Sequence, residues 1–379
     1  MGEVLGASEQ RATGRDLLAD APELLERLAR VKSYGRSIRA SEYHLTNACN
    51  LRCHGCWFFV HDFDKTSREV RDLESLRHFV ERERGRGINT ALLIGGEPTL
   101  VPERIAVYVE TMDHVSISTN GLRALPREGF ERTTVFVTVF GGGRLDDELR
   151  AIRPGGRRFH NLFQTALTNY RNDPRVTFVF ALSARGTGEI EETVRRIEDN
   201  GNQTIFNYYS EYGANDPLAS GETSRLLEEA LRVRDEHPDT VLSTPYYIRT
   251  MVTGESHWGR FGYDNCPSIS IDHPAHSQRL QNGNRTLPLF NAYAADLKTV
   301  QFCCTSGHCA DCRDSQAVFS WLLVSGDRFL GTKADLCTWI ELAESYWAQF
   351  CWSPFRRTGG RHVLAGLCEE TVQTWVAGA

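Results

Sequence analysis

Eight residues of this chain carry three thiols at a spacing that suits metal chemistry. Residues 49–56 read Cys-Asn-Leu-Arg-Cys-His-Gly-Cys, a C-x3-C-x2-C run. Iron–sulfur clusters are held by cysteine thiolates, and short loop spacings let one segment wrap a cubane. Three protein ligands for four irons leave one iron open, and an open position is what catalysis at a metal needs. The same Cys49, Cys53 and Cys56, completed by His44, His54 or His61, would also make a Cys3His zinc site. Spacing alone leaves both chemistries standing.

A second group of thiols lies far along the chain, where Cys303, Cys304, Cys309 and Cys312 fall within ten residues. With Cys266 they allow three readings. One is a second [4Fe–4S] cluster on Cys266, Cys309, Cys312 and one of Cys303 or Cys304. Another is a structural zinc site on the same ligands with His308, and the third is no metal. Cys337, Cys351 and Cys368 sit among apolar residues and read as buried thiols. The odd total of eleven cysteines and the absence of a basic-then-apolar leader pattern argue against a disulfide framework.

Between the two groups stands Gly95-Gly96-Glu97-Pro98. Glycine lets a backbone approach a ligand closely, and a strand end offers unpaired carbonyls. Glu97 could accept from an ammonium group, although the four residues taken alone also read as a turn.

These groups are carried by alternating strands and helices. Apolar, β-branched runs predict strands over 42–46, 91–94, 115–118, 135–140, 176–182 and 204–209. Helical periodicity falls over 73–84, 105–112, 161–170 and 190–199. Six parallel βα units predict an α/β fold, a partial (β/α)6 barrel with too few strands to close. Chemistry in such folds gathers at the carboxyl ends of the strands. The thiols follow the first strand, Gly-Gly-Glu-Pro the second and Ser-Thr-Asn-Gly the third. The barrel is assigned to residues 41–213, preceded by a helical segment over 1–40 and followed by a Cys-rich C-terminal extension over 214–379. That extension opens with an amphipathic helix over 224–236 and then turns irregular. Among Trp321, Trp339, Trp347 and Trp352, the i, i+4, i+8 spacing of Trp339, Ala343 and Trp347 predicts a helix packed on the barrel.

On the cysteine triad and the Gly-Gly-Glu-Pro one strand later, residues 41–213 resemble the radical S-adenosylmethionine (SAM) superfamily. The resemblance implies a [4Fe–4S] cluster on Cys49, Cys53 and Cys56, with SAM bound through its amino and carboxylate groups to the open iron. It implies reductive cleavage to methionine and a 5′-deoxyadenosyl radical that abstracts a substrate hydrogen. Gly95, Gly96, Glu97 and Pro98 then bind the SAM amino group, while Ser118, Asn120, Ser183, Arg185 and Asn207 contact ribose or carboxylate. The same five residues read equally as strand caps or turns. One departure stands out: the residue before the third cysteine is usually aromatic and here is Gly55, so Trp57 and Phe58 are expected to pack near the adenine. The C-terminal thiols resemble a SPASM or twitch extension without reproducing its seven-cysteine pattern.

A net charge of −6 with dispersed basic residues points to no nucleic-acid partner. No apolar run approaches the ~20 residues of a membrane span, and a cytoplasmic protein is expected. The expected activity is radical SAM modification of a small-molecule substrate in natural-product or specialised metabolism, with an electron donor such as flavodoxin or ferredoxin. The rivals are a peptide-modifying maturase, aminocarboxypropyl transfer and a non-catalytic Fe–S electron carrier. Roughly forty residues before the barrel leave little room for a leader-binding domain, which favours the small molecule. A carrier needs no SAM site, and Gly-Gly-Glu-Pro argues against it. A second cluster would accept the second electron of an oxidation; its absence favours rearrangement, epimerisation or elimination. Tyr208, Tyr209, Glu211 and Tyr212 are candidate cavity residues.

Overall fold

The computed structural model describes residues 13–209, 223–260, 266–277, 285–301 and 312–356. Six strands run in parallel in sequence order: β1 (Ala40–His44), β2 (Thr90–Ile94), β3 (His114–Thr119), β4 (Thr134–Val139), β5 (Val176–Leu182) and β6 (Gln203–Tyr208). Helices Leu73–Gly85, Pro102–Thr111, Leu162–Asn169 and Ile190–Asp199 supply the crossovers. Their starts are written in the sequence. Asp72 accepts from the Ser75 backbone N–H at 2.7 Å, and Pro102 opens its helix where no donor is lost.

Strand alternation sorts the two faces. Tyr43 points outward and packs on Phe79 and Tyr108 beneath the helices. On the inner face Ser116 and Ser118, Phe136 and Thr138, Val179 and Ala181, and Ile205 and Asn207 follow a period of two into one central cavity.

The extension is more ordered than its sequence suggests. Beyond the helix Thr223–Glu236 it holds helices Pro245–Thr253, Ser315–Val324 and Lys333–Ala348. A small hairpin joins β7 (Glu255–Ser256) to β8 (Gly259–Arg260). β9 (Ala292–Tyr293) then pairs in parallel with β1, and β10 (Val300–Gln301) lies antiparallel to β9, giving an eight-stranded sheet. Two-residue strands carry no periodicity, so the sequence reading missed them. They cover an edge of β1 that would otherwise be exposed. The union is locked by Glu83, whose buried carboxylate accepts from the Tyr43 hydroxyl at 2.8 Å and the Tyr293 hydroxyl at 3.1 Å.

At the amino end of the barrel, the Thr177 hydroxyl donates to the Gln349 carbonyl at 3.2 Å, and the Cys351 N–H donates to the Thr134 hydroxyl at 2.9 Å. Arg27 of helix Pro22–Ser37 grips Glu344 through both of its oxygens, at 3.1 and 2.8 Å, and Tyr34 meets Trp347 edge-on. The predicted tryptophan helix is thus present as Lys333–Ala348, with Trp339 and Cys337 buried. Cys368 lies outside the described residues. Among the described residues no helix is long and apolar enough to cross a membrane.

Candidate functional site

A cavity of about 330 Å³ opens at the carboxyl ends of the strands, and Cys49, Cys53 and Cys56 all line it. Backbone bonds fix the loop that carries them. Gly96 N–H donates to Thr46 O at 2.8 Å and Glu97 N–H to Ala48 O at 2.9 Å on one side. On the other, Arg52 N–H donates to Ile152 O and His54 N–H to Leu149 O, each at 2.7 Å. Leu51 is fully buried against Ala151 and Leu162, which anchors the middle of the loop.

The paired glycines owe their identity to this loop. A Cβ on Gly96 would stand 2.1 Å from the Ala48 carbonyl oxygen, and one on Gly95 2.9 Å from Thr46 O, with φ at +121°. The close approach that glycine permits is therefore first an approach to the cysteine loop itself. Glu97 is likewise committed to its own chain. Its Oε1 accepts from Thr99 N–H at 3.0 Å, the Thr99 hydroxyl at 2.6 Å and the Thr119 hydroxyl at 2.7 Å, while Oε2 accepts from Asn120 N–H at 2.8 Å. The carboxylate clamps the end of β2 to the end of β3, and Asn120 in turn donates to Asn50 Oδ1 at 2.7 Å.

Burial pushes the Cys49 thiol up to about 12 and the Cys56 thiol to about 11. A bare thiolate is disfavoured there, and a bound metal that displaces the proton resolves the cost. Cys53 has a helper. Arg150 is buried beside it and its charge opposes the effect of burial on that thiol. Arg150 is itself neutralised by Asp146 at 2.6 Å and donates to Thr138 O. Nothing in the sequence around Arg150 marked it. The donor set fits a cubane: three cysteines around one chamber, each able to take its own iron.

The histidines of the zinc reading stand elsewhere. His44 is buried among Trp57, Phe58 and Phe63, where desolvation lowers it to about 3 and keeps it neutral. His54 is exposed, and neither it nor His61 lines the cavity. Among the described residues no three His, Cys, Asp or Glu side chains are grouped to hold a single metal ion.

Gly55 has φ +65°, and the Tyr209 hydroxyl lies 1.6 Å from where its Cβ would be. The missing aromatic is replaced from across the barrel. Tyr209, at the end of β6, donates to the Gly55 carbonyl at 3.4 Å and packs edge-on against Phe140. Tyr208 and Tyr209 both line the cavity, as do Gly95, Gly96, Glu97, Trp57, Ser118, Asn120 and Asn207. Pro98 is buried at the start of a short 3-10 turn and does not line it. Ser183 and Arg185 are not brought to the cavity either. The Ser183 hydroxyl accepts from Gly186 N–H at 3.2 Å, capping the turn Ala184–Glu189. That turn carries Arg185 outward, where it donates to Glu148 at 2.5 Å.

The extension completes the chamber in a way the sequence did not reveal. Asp314, Ser315, Gln316 and Phe319 enter its wall from the start of helix Ser315–Val324, and Tyr346, Gln349 and Phe350 from the barrel's amino end. Asn207 ties β6 to the first group, accepting from Ser315 N–H at 2.9 Å. None of the four tryptophans is in the wall. Cys266 and Cys312 are described, Cys312 as buried. Cys303, Cys304, His308 and Cys309, with Glu211 and Tyr212, lie outside the described residues.

Residues 43–132 match the family model described as Radical SAM superfamily. The chain is 29% identical over 135 residues to GTP 3′,8-cyclase of Alkaliphilus oremlandii, covering 32% of this chain and 41% of that protein. It is 28% identical over 120 residues to a probable GTP 3′,8-cyclase of Thermoplasma volcanium, covering 28% and 35%. It therefore spans about two fifths of the length of these relatives or less. Among solved structures it is similar to native anSMEcpe with bound AdoMet, at 13% identity over 83% of this chain and 89% of that one, with a TM-score of 0.49. Streptococcus suis SuiB bound to S-adenosylmethionine gives 14% identity, coverages of 62% and 59%, and a TM-score of 0.43.

Proposed function

We propose that this chain, whose residues 43–132 match the radical SAM superfamily model, is a radical SAM enzyme that modifies a small molecule inside the chamber described above. The observation that carries this reading is convergence. The three thiols, the Gly-Gly-Glu turn, polar strand ends of β3 and β6, and a wall from the extension all meet in one space of about 330 Å³. When bound, a [4Fe–4S] cluster with SAM supplies reductive cleavage of a sulfonium and hence hydrogen abstraction. Cys49, Cys53 and Cys56 hold the cluster. Gly95 and Gly96 keep the loop tight, and Glu97 sets Asn120 at the rim. Tyr209 and Phe140 shield the side next to Gly55. Phe319, Tyr346 and Phe350 add apolar surface to a wall that also carries Asp314, Gln316 and Gln349.

The relatives named above are cyclases of GTP, but the chamber is a poor match for a triphosphate. Arg150 is the one arginine or lysine among its described lining residues, and Asp146 already neutralises it. The source of the electron is a small redox protein such as flavodoxin or ferredoxin.

The test is anaerobic reconstitution of the full chain, then SAM binding and release of 5′-deoxyadenosine with dithionite, for wild type and a Cys49/Cys53/Cys56→Ala triple variant. Wild type is expected to bind and cleave SAM, and the triple variant to do neither. Cleavage by the triple variant would overturn the assignment. Iron counted in the same samples tests the second cluster on Cys266, Cys309, Cys312 and one of Cys303 or Cys304. About eight irons falling to about four support it, whereas about four falling to none removes it.

A further inference from the structure

We propose that Glu42 and Asp314 form the binding point for a cationic nitrogen of the substrate, a protonated amine carried on an apolar or aromatic body. The inference rests on reading the chamber as the substrate site and adds the chemical class of what enters it.

Glu42 sits on β1 with its side chain on the inner face, 3% exposed and in the cavity wall. Its Oε1 is buried without a hydrogen-bond partner. The nearby His44 Nε2, itself without a partner, stands 3.9 Å away, beyond hydrogen-bonding distance. A buried carboxyl left incomplete costs free energy, and such groups persist where a ligand completes them.

Asp314 faces the same space from the other edge of the barrel. The Asn207 side chain donates to its Oδ2 at 3.3 Å and Gln316 N–H to its Oδ1 at 3.0 Å, so the start of helix Ser315–Val324 holds it in place. Two carboxyls thus share one low-dielectric chamber. Its lining supplies no available cation among the described residues: Arg150 is bound to Asp146, and Glu97 is saturated by its four donors. Burial, and then the charge of Asp314, push Glu42 up to about 8, as expected for a carboxyl that lacks its counter-charge. The missing charge has to arrive with the ligand. Phe136, Phe319, Tyr346 and Phe350 line the rest of the cavity and suit an apolar or aromatic body.

The test uses the full reconstituted chain saturated with SAM. Phenethylamine, 2-phenylethanol and 3-phenylpropionate, three bodies of similar shape differing in charge, are titrated calorimetrically into wild type, Glu42→Gln and Asp314→Asn. In wild type the amine is expected to bind at least about tenfold more tightly than the alcohol, with the acid weakest. In both variants the amine-to-alcohol ratio is expected to fall toward one while SAM affinity is retained. Equal binding of amine and alcohol to wild type overturns the proposal, as does tighter binding of the acid. An amine preference unchanged in Glu42→Gln also overturns it, and loss of SAM affinity in a folded Glu42→Gln assigns the carboxyl to SAM instead. Should Glu42→Gln fail to fold by circular dichroism, the ratio in Asp314→Asn decides. A wild type that binds no SAM refutes the superfamily reading of the chamber, whereas SAM binding without amine preference refutes only the cation site.

Discussion

Substitution of Gly55 should reveal that Tyr209 occupies its side-chain space. An alanine Cβ at position 55 would lie 1.6 Å from the Tyr209 hydroxyl oxygen but 3.0 Å from the ring carbon that bears it. The position also has φ +65°, which costs a non-glycine residue about 1–2 kcal/mol. The clash adds about 1–3 kcal/mol, because Tyr209 is buried against Phe140, Leu145 and Leu149 and has little room to swing. Gly55→Ala alone should therefore cost about 2–5 kcal/mol. In a Tyr209→Phe background the hydroxyl is gone, and only the backbone strain with a tight contact is left. The two substitutions should be non-additive by about 1–2 kcal/mol, with the double variant more stable than the sum of the singles. Melting temperatures of the four reconstituted proteins, compared with iron per chain, measure this. The coupling should appear as a few degrees at most in a chain of this size. Additivity within about 0.5 kcal/mol would refute the claim that Tyr209 fills the void.

Other consequences can be checked separately. Glu97→Gln turns one acceptor toward donors it cannot satisfy, at about 1–3 kcal/mol, and by loosening Asn120 should weaken SAM binding, measured by equilibrium dialysis. Arg185→Ala removes an outward ion pair and should change stability by no more than about 1 kcal/mol, with SAM affinity unaltered in the same assay. Two buried groups on β1 give opposing pH dependences. His44, lowered from 6.5 to about 3, contributes stability that is complete above pH 6.5 and lost as pH falls toward 3. Glu42, raised from 4.5 to about 8, contributes stability that is complete below pH 4.5 and lost as pH rises toward 8. The two slopes cancel between 4.5 and 6.5, so melting temperature against pH should be flat there from this pair and fall from 6.5 to 8. Glu42→Gln should abolish that alkaline fall.

Strands β2 to β6 could be read from sequence because each carries apolar or β-branched residues between turn residues, and β5 and the helix Ile190–Asp199 have the predicted bounds. By contrast β1, Ala-Ser-Glu-Tyr-His, is largely polar and lies two residues earlier than predicted. The thiols and the glycine pair were legible for the same local reason: spacing alone defines a loop. What stayed hidden depends on distance along the chain. Asp314 and Phe350 reach the chamber only through the packing of helices that follow β6, and no local pattern reports that. Gly55 looked like a missing aromatic, because its replacement sits 154 residues away on Tyr209. Arg185 misled for the opposite reason. A strand-end arginine suggests a carboxylate ligand, but the capped turn after β5 carries it away from the cavity.

The bonds that stop the amino end of the barrel have a consequence for synthesis. The Thr134 and Thr177 hydroxyls find their partners late in the chain, Thr134 at Cys351 and Thr177 at Gln349 and Arg356, and the edge of β1 waits for β9. A ribosome that has delivered β6 has already released the whole cysteine loop, while the plug is still more than a hundred residues from emerging. At about 5–20 residues per second that interval lasts seconds or longer. The nascent barrel passes through it open at one end, with its thiols already on a finished loop. Delivery of iron and sulfide to the proposed cluster thus has a period in which the chamber is reachable from a side that the folded chain closes.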